Sequence, residues 1–169
     1  MRFLPKRAGW LILPPLIALA VFAASSDPSV APVVSDLSPS RPVIPDERAA
    51  RIDRYFAERN MPLAGHGARF IEAADRCDMD WRLLPAIAVR ESSGGKQACG
   101  NNPFGWGSCR TDFESIDEAI EVVGANLCGF NPRTEAYYKN KTTYERLWSY
   151  NGSVNPSYPE EILKIIEQF

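Results

Sequence analysis

Apolar residues recur every three or four positions through most of the chain after residue 45, which is the spacing of one face of a helix. No stretch of strand length alternates apolar and polar residues. The periodicity predicts helices over residues 46–60, 68–77 and about 115–128, a short helix over 142–148, a turn at 150–152 and a last helix from about 157. A parallel sheet is excluded, and the predicted fold class is mostly α.

Start signals support two of these helices and one further helix. Ser115 and Thr142 are each followed three residues later by a glutamate, Glu118 and Glu145, in the pattern of a capping box. Asp80 has the residue type of an N-cap for a further helix that carries Glu91. These signals fix where the polar ends of the helices should lie.

The helix before Glu91 is the centre of the pattern. Leu84, Ile87 and Glu91 fall on one face, so a carboxyl group follows directly after apolar positions. Ser92, Ser93 and two glycines come next and predict the end of the helix. Glu91 is therefore expected on the buried side of a helix C-terminus.

That position disfavours a negative charge for two reasons. Desolvation penalises an ionised carboxylate, and the C-terminal end of a helix carries partial negative charge. Both effects favour the protonated carboxylic acid at Glu91, which is the form that a general acid needs. The alternative is an ordinary solvated glutamate at a helix end.

Residues 101–108 (NNPFGWGS) contain Pro103, Gly105 and Gly107 and should form a loop or a small β-hairpin. The segment presents Phe104 and Trp106, whose flat rings suit the apolar faces of sugars. The alternative is that both rings pack into the core.

The N-terminus has the composition of an export signal. Arg2, Lys6 and Arg7 precede an uncharged apolar run over 10–24, and small residues follow. Residues 1–26 are predicted to be a signal peptide or an N-terminal membrane anchor, and 27–45 a Pro-rich linker. The domain at 46–169 is therefore expected in the periplasm or cell envelope, secreted or anchored to the membrane by the N-terminal segment.

Four cysteines in an exported chain favour two disulfides. Of the three possible pairings we prefer Cys99–Cys109, which closes the loop after Glu91, and Cys77–Cys128, which ties two flanking helices. His66 is the only histidine and no close Cys-x-x-Cys pair occurs, so we expect no metal site.

The charge balance argues against nucleic acid. The whole chain has a net charge of −2, and the part after residue 26 is more acidic, at about −5, because three of the basic residues lie in the N-terminal segment. An acidic domain is poorly suited to a phosphate backbone. With no basic tract and no glycine-rich phosphate loop, we expect neither a nucleic-acid partner nor a cofactor.

Four runs resemble one known group of proteins. They are AIAVRESSGGK (86–96), NNPFGWGSC (101–109), FESIDEAI (113–120) and YNGSVNPSYPEEI (150–162). Together they resemble the lysozyme-like superfamily, and within it the bacterial endo-β-N-acetylglucosaminidases and the lytic transglycosylases. The resemblance covers about residues 52–169 and implies a lysozyme-like helical domain with a small loop or hairpin after its central helix.

The resemblance also implies a substrate and a set of site residues. The substrate would be the glycan strands of peptidoglycan, cleaved at β-1,4 glycosidic bonds, and the catalytic acid falls on Glu91. Tyr150 matches a cleft tyrosine, with Tyr158 as the rival for that position. The other positions that match residues orienting the acid or lining the cleft are Ser92, Asn102, Phe104, Gly105 and Trp106.

A second carboxylate, which glycosidases usually need, has no convincing match. Asp112 and Glu114 are the candidates. Its absence favours a transglycosylase-like route, in which one group acts as acid and then as base. It also permits a non-catalytic module that binds cell-wall glycan, or an envelope scaffold of lysozyme-like fold.

Overall fold

The computed structural model describes residues 46–169, and these form short helices joined by tight turns. A π-helix (Trp148–Gly152) follows directly on the sixth helix. The α-helices are α1 (Glu47–Glu58), α2 (Gly67–Asp75), α3 (Leu83–Ser92), α4 (Ile116–Leu127), α5 (Glu135–Tyr138), α6 (Thr143–Leu147) and α7 (Tyr158–Ile166). The predicted mostly-α class is confirmed.

The segment after α3 is a loop. Within residues 46–169 no strand forms, and the only bridge of β type is an isolated one between Cys99 and Asn102. The loop is therefore the correct alternative, and the hairpin is not formed. The predicted signal or anchor and the Pro-rich linker lie outside the described residues. Within residues 46–169, no helix is long and apolar enough to cross a membrane.

The predicted start signals are largely found. Thr142 and Glu145 form a reciprocal capping box at α6. Ser115 caps α4 by accepting a hydrogen bond from the Glu118 amide at 3.1 Å. The Glu118 carboxylate, however, accepts from the Glu114 amide at 2.6 Å, so the return half of this box is displaced by one residue.

Two local predictions were wrong, and one helix was missed. Asp80 does not cap α3, because an extra turn intervenes in which its carboxylate accepts from the Arg82 amide and pairs with the Arg82 guanidinium at 2.9 Å. Residues 150–152 are not a turn but part of the π-helix. Helix α5 was not predicted, since four residues are too few to show a period.

Helix α3 lies at the centre of the core. Five of its apolar residues are at most 1 % exposed: Leu83, Leu84, Ala86, Ile87 and Ala88. A helix that is apolar on all sides is buried on all sides. The C-terminal end of α3, and with it Glu91, is therefore held by packing from the surrounding helices.

Both preferred disulfides form. Cys77–Cys128 links the residues that follow α2 and α4 over a sequence separation of 51, and Cys99–Cys109 closes the loop over a separation of 10. Such bonds persist in oxidising compartments, which agrees with export from the cytosol.

Candidate active site

The last turn of α3 presents a half-buried Glu91. The helix ends at Ser93, which adopts the left-handed conformation with φ of +53°. Glycine is favoured next, because Gly94 has φ of +66° and a Cβ there would collide with the Met61 side chain. The predicted Ser-Ser-Gly-Gly stop therefore exists, and it turns the chain away immediately after the carboxyl group.

Tyr158 holds one oxygen of that carboxyl group. Its hydroxyl donates to Glu91 Oε1 at 2.7 Å, and its ring is fully buried at the first position of α7. Burial first, and the adjacent Glu91 second, raise the pKa of Tyr158, so the phenol remains a neutral donor. An ion pair between Arg90 and Glu161, at 2.7 Å, also joins α3 to α7.

The other carboxyl oxygen lies beside the loop. Gly105 has φ of +62°, and a Cβ there would lie 3.3 Å from Glu91 Oε2. A side chain at this position would crowd the carboxyl group. Glycine therefore lets the loop backbone pass close to Glu91.

Two side chains from different elements fix the loop at neighbouring carbonyls. Ser92 Oγ lies 2.7 Å from the Pro103 carbonyl oxygen and accepts from the Gly95 amide at 2.9 Å. The Tyr150 hydroxyl donates to the Phe104 carbonyl at 2.6 Å. Both hydroxyl groups are thus engaged in holding the loop against α3 and the π-helix.

Asn102 organises the loop from inside. Its amide nitrogen donates to the Trp106 and Thr111 carbonyls at 2.9 and 3.2 Å, and its oxygen accepts from the Trp106 amide at 3.1 Å. Asn102 is 1 % exposed. Its hydrogen-bonding groups are satisfied by the protein itself.

Four residues of the expected substrate-binding set are packed inside the protein. Ser92, Asn102, Phe104 and Tyr158 are each at most 2 % exposed, although Phe104 is among the residues that line the groove beside Glu91. The side chains of Ser92, Asn102 and Tyr158 form hydrogen bonds with the loop or with Glu91 and position the site in this structure. Contact of these residues with a glycan stays a prediction.

A groove of about 480 Å³ opens beside Glu91. The half-exposed ring of Trp106 lies 5.6 Å from the Tyr150 ring and 6.5 Å from the Tyr138 ring, measured between centroids. Burial raises the pKa of Tyr138 to about 12. The volume is within the range of ligand sites, and the aromatic rings form one wall of it.

Glu91 is the only carboxylate among the described residues that line this groove. Asp112 and Glu114, the two candidates for a second acid, are exposed and do not line it. The arrangement therefore offers one carboxyl group for proton transfer.

Two lining residues outside the predicted loop, Tyr138 and Asn151, were not among the expected site residues. Tyr138 belongs to the unpredicted α5, and Asn151 lies in the π-helix. For Asn151 the sequence offered a signal, because it directly follows Tyr150 in the run over 150–162 that carries the resemblance. For Tyr138 the only signal was the Tyr-Tyr pair at 137–138.

Comparison of the chain with protein-family models, with curated proteins and with solved structures finds no match. A function for this protein must therefore be inferred from the residues of the groove.

Proposed function

We propose that this protein is an exported enzyme of lysozyme-like fold that cleaves β-1,4 glycosidic bonds in the glycan strands of peptidoglycan. One observation carries the proposal: the Glu91 carboxyl group lies at an aromatic-walled groove and accepts a hydrogen bond from the buried Tyr158. Two disulfides support an oxidising compartment outside the cytosol.

The two oxygens of Glu91 have different surroundings, and this assigns them different roles. Oε1 is held by Tyr158, whereas Oε2 lies beside Gly105, a lining residue of the groove. Oε2 is therefore the oxygen that delivers the proton to the bridging oxygen of the substrate. The carbon–oxygen bond then breaks, and positive charge develops on the sugar ring.

A single carboxylate favours capture of that ring by the sugar itself. Glu91, now ionised, accepts the proton of a hydroxyl group on the same sugar, and the hydroxyl oxygen bonds to the anomeric carbon. The product is an anhydro sugar, and Glu91 is protonated again. Hydrolases usually have a second carboxylate near the ring.

The test uses a gel that contains peptidoglycan. Wild-type protein should clear the gel, and Glu91→Gln should lower the activity by at least ~10²–10⁴-fold, since it keeps the size of the side chain but removes the proton. Asp112→Asn and Glu114→Gln are the matched controls and should retain most of the activity. Anhydro-muramyl ends in the products identify the intramolecular route.

Several results would contradict this scheme. Reducing ends together with loss of activity in Glu114→Gln would mean a two-carboxylate hydrolase. Clearing that persists in Glu91→Gln would remove Glu91 from the chemistry.

The second candidate is a non-catalytic module that binds cell-wall glycan. It is favoured by the same lack of a second carboxylate in the groove. Retention on insoluble peptidoglycan without clearing would identify this module. Neither retention nor clearing would leave an envelope scaffold.

A further inference from the structure

Arg146 is a buried arginine in the last turn of α6. The residue is 8 % exposed, and its fully buried Nε has no hydrogen-bond partner within residues 46–169. None of the ion pairs among the described residues includes it. Buried polar groups are nearly always hydrogen-bonded, so this one requires an explanation.

Two more exposed arginines that lie near helix α3 are paired. Arg90 pairs with Glu161 at 2.7 Å, and Arg82 pairs with Asp80 at 2.9 Å. Burial makes an unpaired charge far more costly than exposure does. Arg146 is thus a buried arginine for which the described residues supply no anionic partner.

Arg146 lines a cavity of about 590 Å³ that is separate from the catalytic groove. Arg76 and Lys139 line it as well, and the single carboxylate among the lining residues is that of Glu135. Lys139 forms an ion pair with Glu135, and Arg76 forms one with Glu121, a residue that does not line the cavity. The cavity thus has an excess of positive charge, and Arg146 is its unpaired member.

The end of α4 offers a different explanation for this residue. Cys128, the C-cap of α4, lines the same cavity, and a helix C-terminus attracts cations. Among the described residues, however, no carbonyl oxygen accepts a hydrogen bond from the Arg146 Nε. Burial lowers the pKa of Arg146, and no neighbouring acid offsets this effect.

We propose that this cavity is an anion-binding site in which the Arg146 guanidinium binds an oxyanion, a carboxylate or a phosphate group, with Arg76 and Lys139 beside it. The planar guanidinium donates two parallel hydrogen bonds to such a group. The proposal does not depend on the glycan-cleaving function, because the site shares no residue with the groove around Glu91.

Thermal unfolding of the full chain tests the site with inorganic phosphate and with acetate, against chloride at the same ionic strength. A ligand that binds only the folded state raises the melting temperature, by about 5 °C at tenfold excess over Kd for a domain of this size. The rise should saturate with concentration. A response to one anion alone identifies which source of oxyanion the site accepts.

Variants then locate the response. Arg146→Gln should abolish it, whereas Arg54→Gln, an exposed arginine of α1 that makes no ion pair among the described residues, should retain it. If Arg146→Gln fails to fold, Arg146→Lys is the alternative variant. It keeps the charge but loses the paired donors, so the Kd for the anion, read from the saturation of the melting temperature, should rise about tenfold.

A direct measurement on the wild-type protein does not require any variant. The NMR signal of the Arg146 Nε–H group should shift with the phosphate or acetate concentration, and it should follow the same saturation curve. Equal melting temperatures in phosphate, acetate and chloride, or an unchanged response in Arg146→Gln, would overturn the proposal.

Discussion

The two walls of the groove are built by different means. On one side Glu91 and Tyr158 extend from helices whose buried faces pack in the core. On the other side the 99–109 loop is held by individual hydrogen bonds from Ser92, Tyr150 and Asn102, and by one disulfide.

The difference separates two tasks. A helix end fixed by packing holds a carboxyl group and its donor in one geometry, as proton transfer requires. A loop held at a few points presents aromatic surface to a ligand and is adjusted by small changes in sequence. Changes on the helix side should therefore alter the chemistry, and changes on the loop side should alter binding.

The largest expected effect concerns the disulfides. On the chain-entropy model, removing the bond between Cys77 and Cys128 costs about 4 kcal/mol of unfolding free energy, and removing the loop bond between Cys99 and Cys109 costs about 3 kcal/mol. Paired Cys→Ala variants and denaturant unfolding measure both values.

Removing the loop disulfide should lower stability less, but activity more, than removing Cys77–Cys128. Loss of Cys99–Cys109 releases the wall that contains Trp106, whereas loss of Cys77–Cys128 leaves both walls in place below the unfolding transition. Activity assays at a temperature where both variants are folded test this order. The reverse order would mean that the loop is held by its hydrogen bonds alone.

Tyr158→Phe comes next, on the helix wall. It removes the donor to Glu91 but keeps the buried ring. A hydrogen bond to the carboxylate that forms as Glu91 gives up its proton contributes about 1.5–3 kcal/mol, or roughly ten- to a hundredfold in kcat. Tyr55→Phe is the matched control. The Tyr55 hydroxyl donates a hydrogen bond to the Gln168 side-chain oxygen at 3.2 Å, and neither residue lines the groove. If the two variants lose the same amount of activity, the loss in Tyr158→Phe results from lower stability and not from the missing donor to Glu91.

On the loop wall, Trp106→Ala should weaken glycan binding by about two- to tenfold, the contribution typical of one aromatic contact. The melting temperature should change little, since the ring is half-exposed. Trp148, which is exposed and does not line the groove, provides the control Trp148→Ala. A large fall in melting temperature with unaltered binding would assign Trp106 to the core instead.

The smallest expected effect is that of pH on the activity ratio between the wild-type protein and Tyr158→Phe. Burial raises the pKa of Tyr158 above the ordinary value of about 10, so the neutral donor is fully present below that pH and is lost only as pH rises through the raised value. The ratio of wild-type to Tyr158→Phe activity should therefore be flat from pH 7 to about 9.5. A ratio that falls within this range would show that the phenol ionises there.

Much of the fold was determined by local sequence. Capping residues such as Ser115 and Thr142 fix helix starts through bonds that span three residues, and the glycines after Ser93 fix the end of α3 through backbone sterics. These interactions need no distant partner, and they are encoded where they act. The position of Glu91 at a helix end beside a loop could be predicted for the same reason.

The contacts that define the site were decided by tertiary packing. Tyr158 is 67 residues from Glu91 along the chain, and nothing in the spacing states that its hydroxyl reaches Oε1. The sequence placed Ser92 and Asn102 among substrate-binding residues, whereas the packed structure turns both inward to hold the loop. Side-chain direction in a loop depends on which core positions remain to be filled, and that is set only when the helices assemble.

Arg146 shows the same division. The capping box at Thr142 placed this arginine on a short helix. Only the assembled domain buries its guanidinium without a carboxylate, because burial and pairing depend on which residues the helices bring together from distant parts of the chain. Local hydrogen bonds and backbone sterics thus determined the elements, while packing across the domain determined the hydrogen bond at Glu91 and the unpaired charge at Arg146.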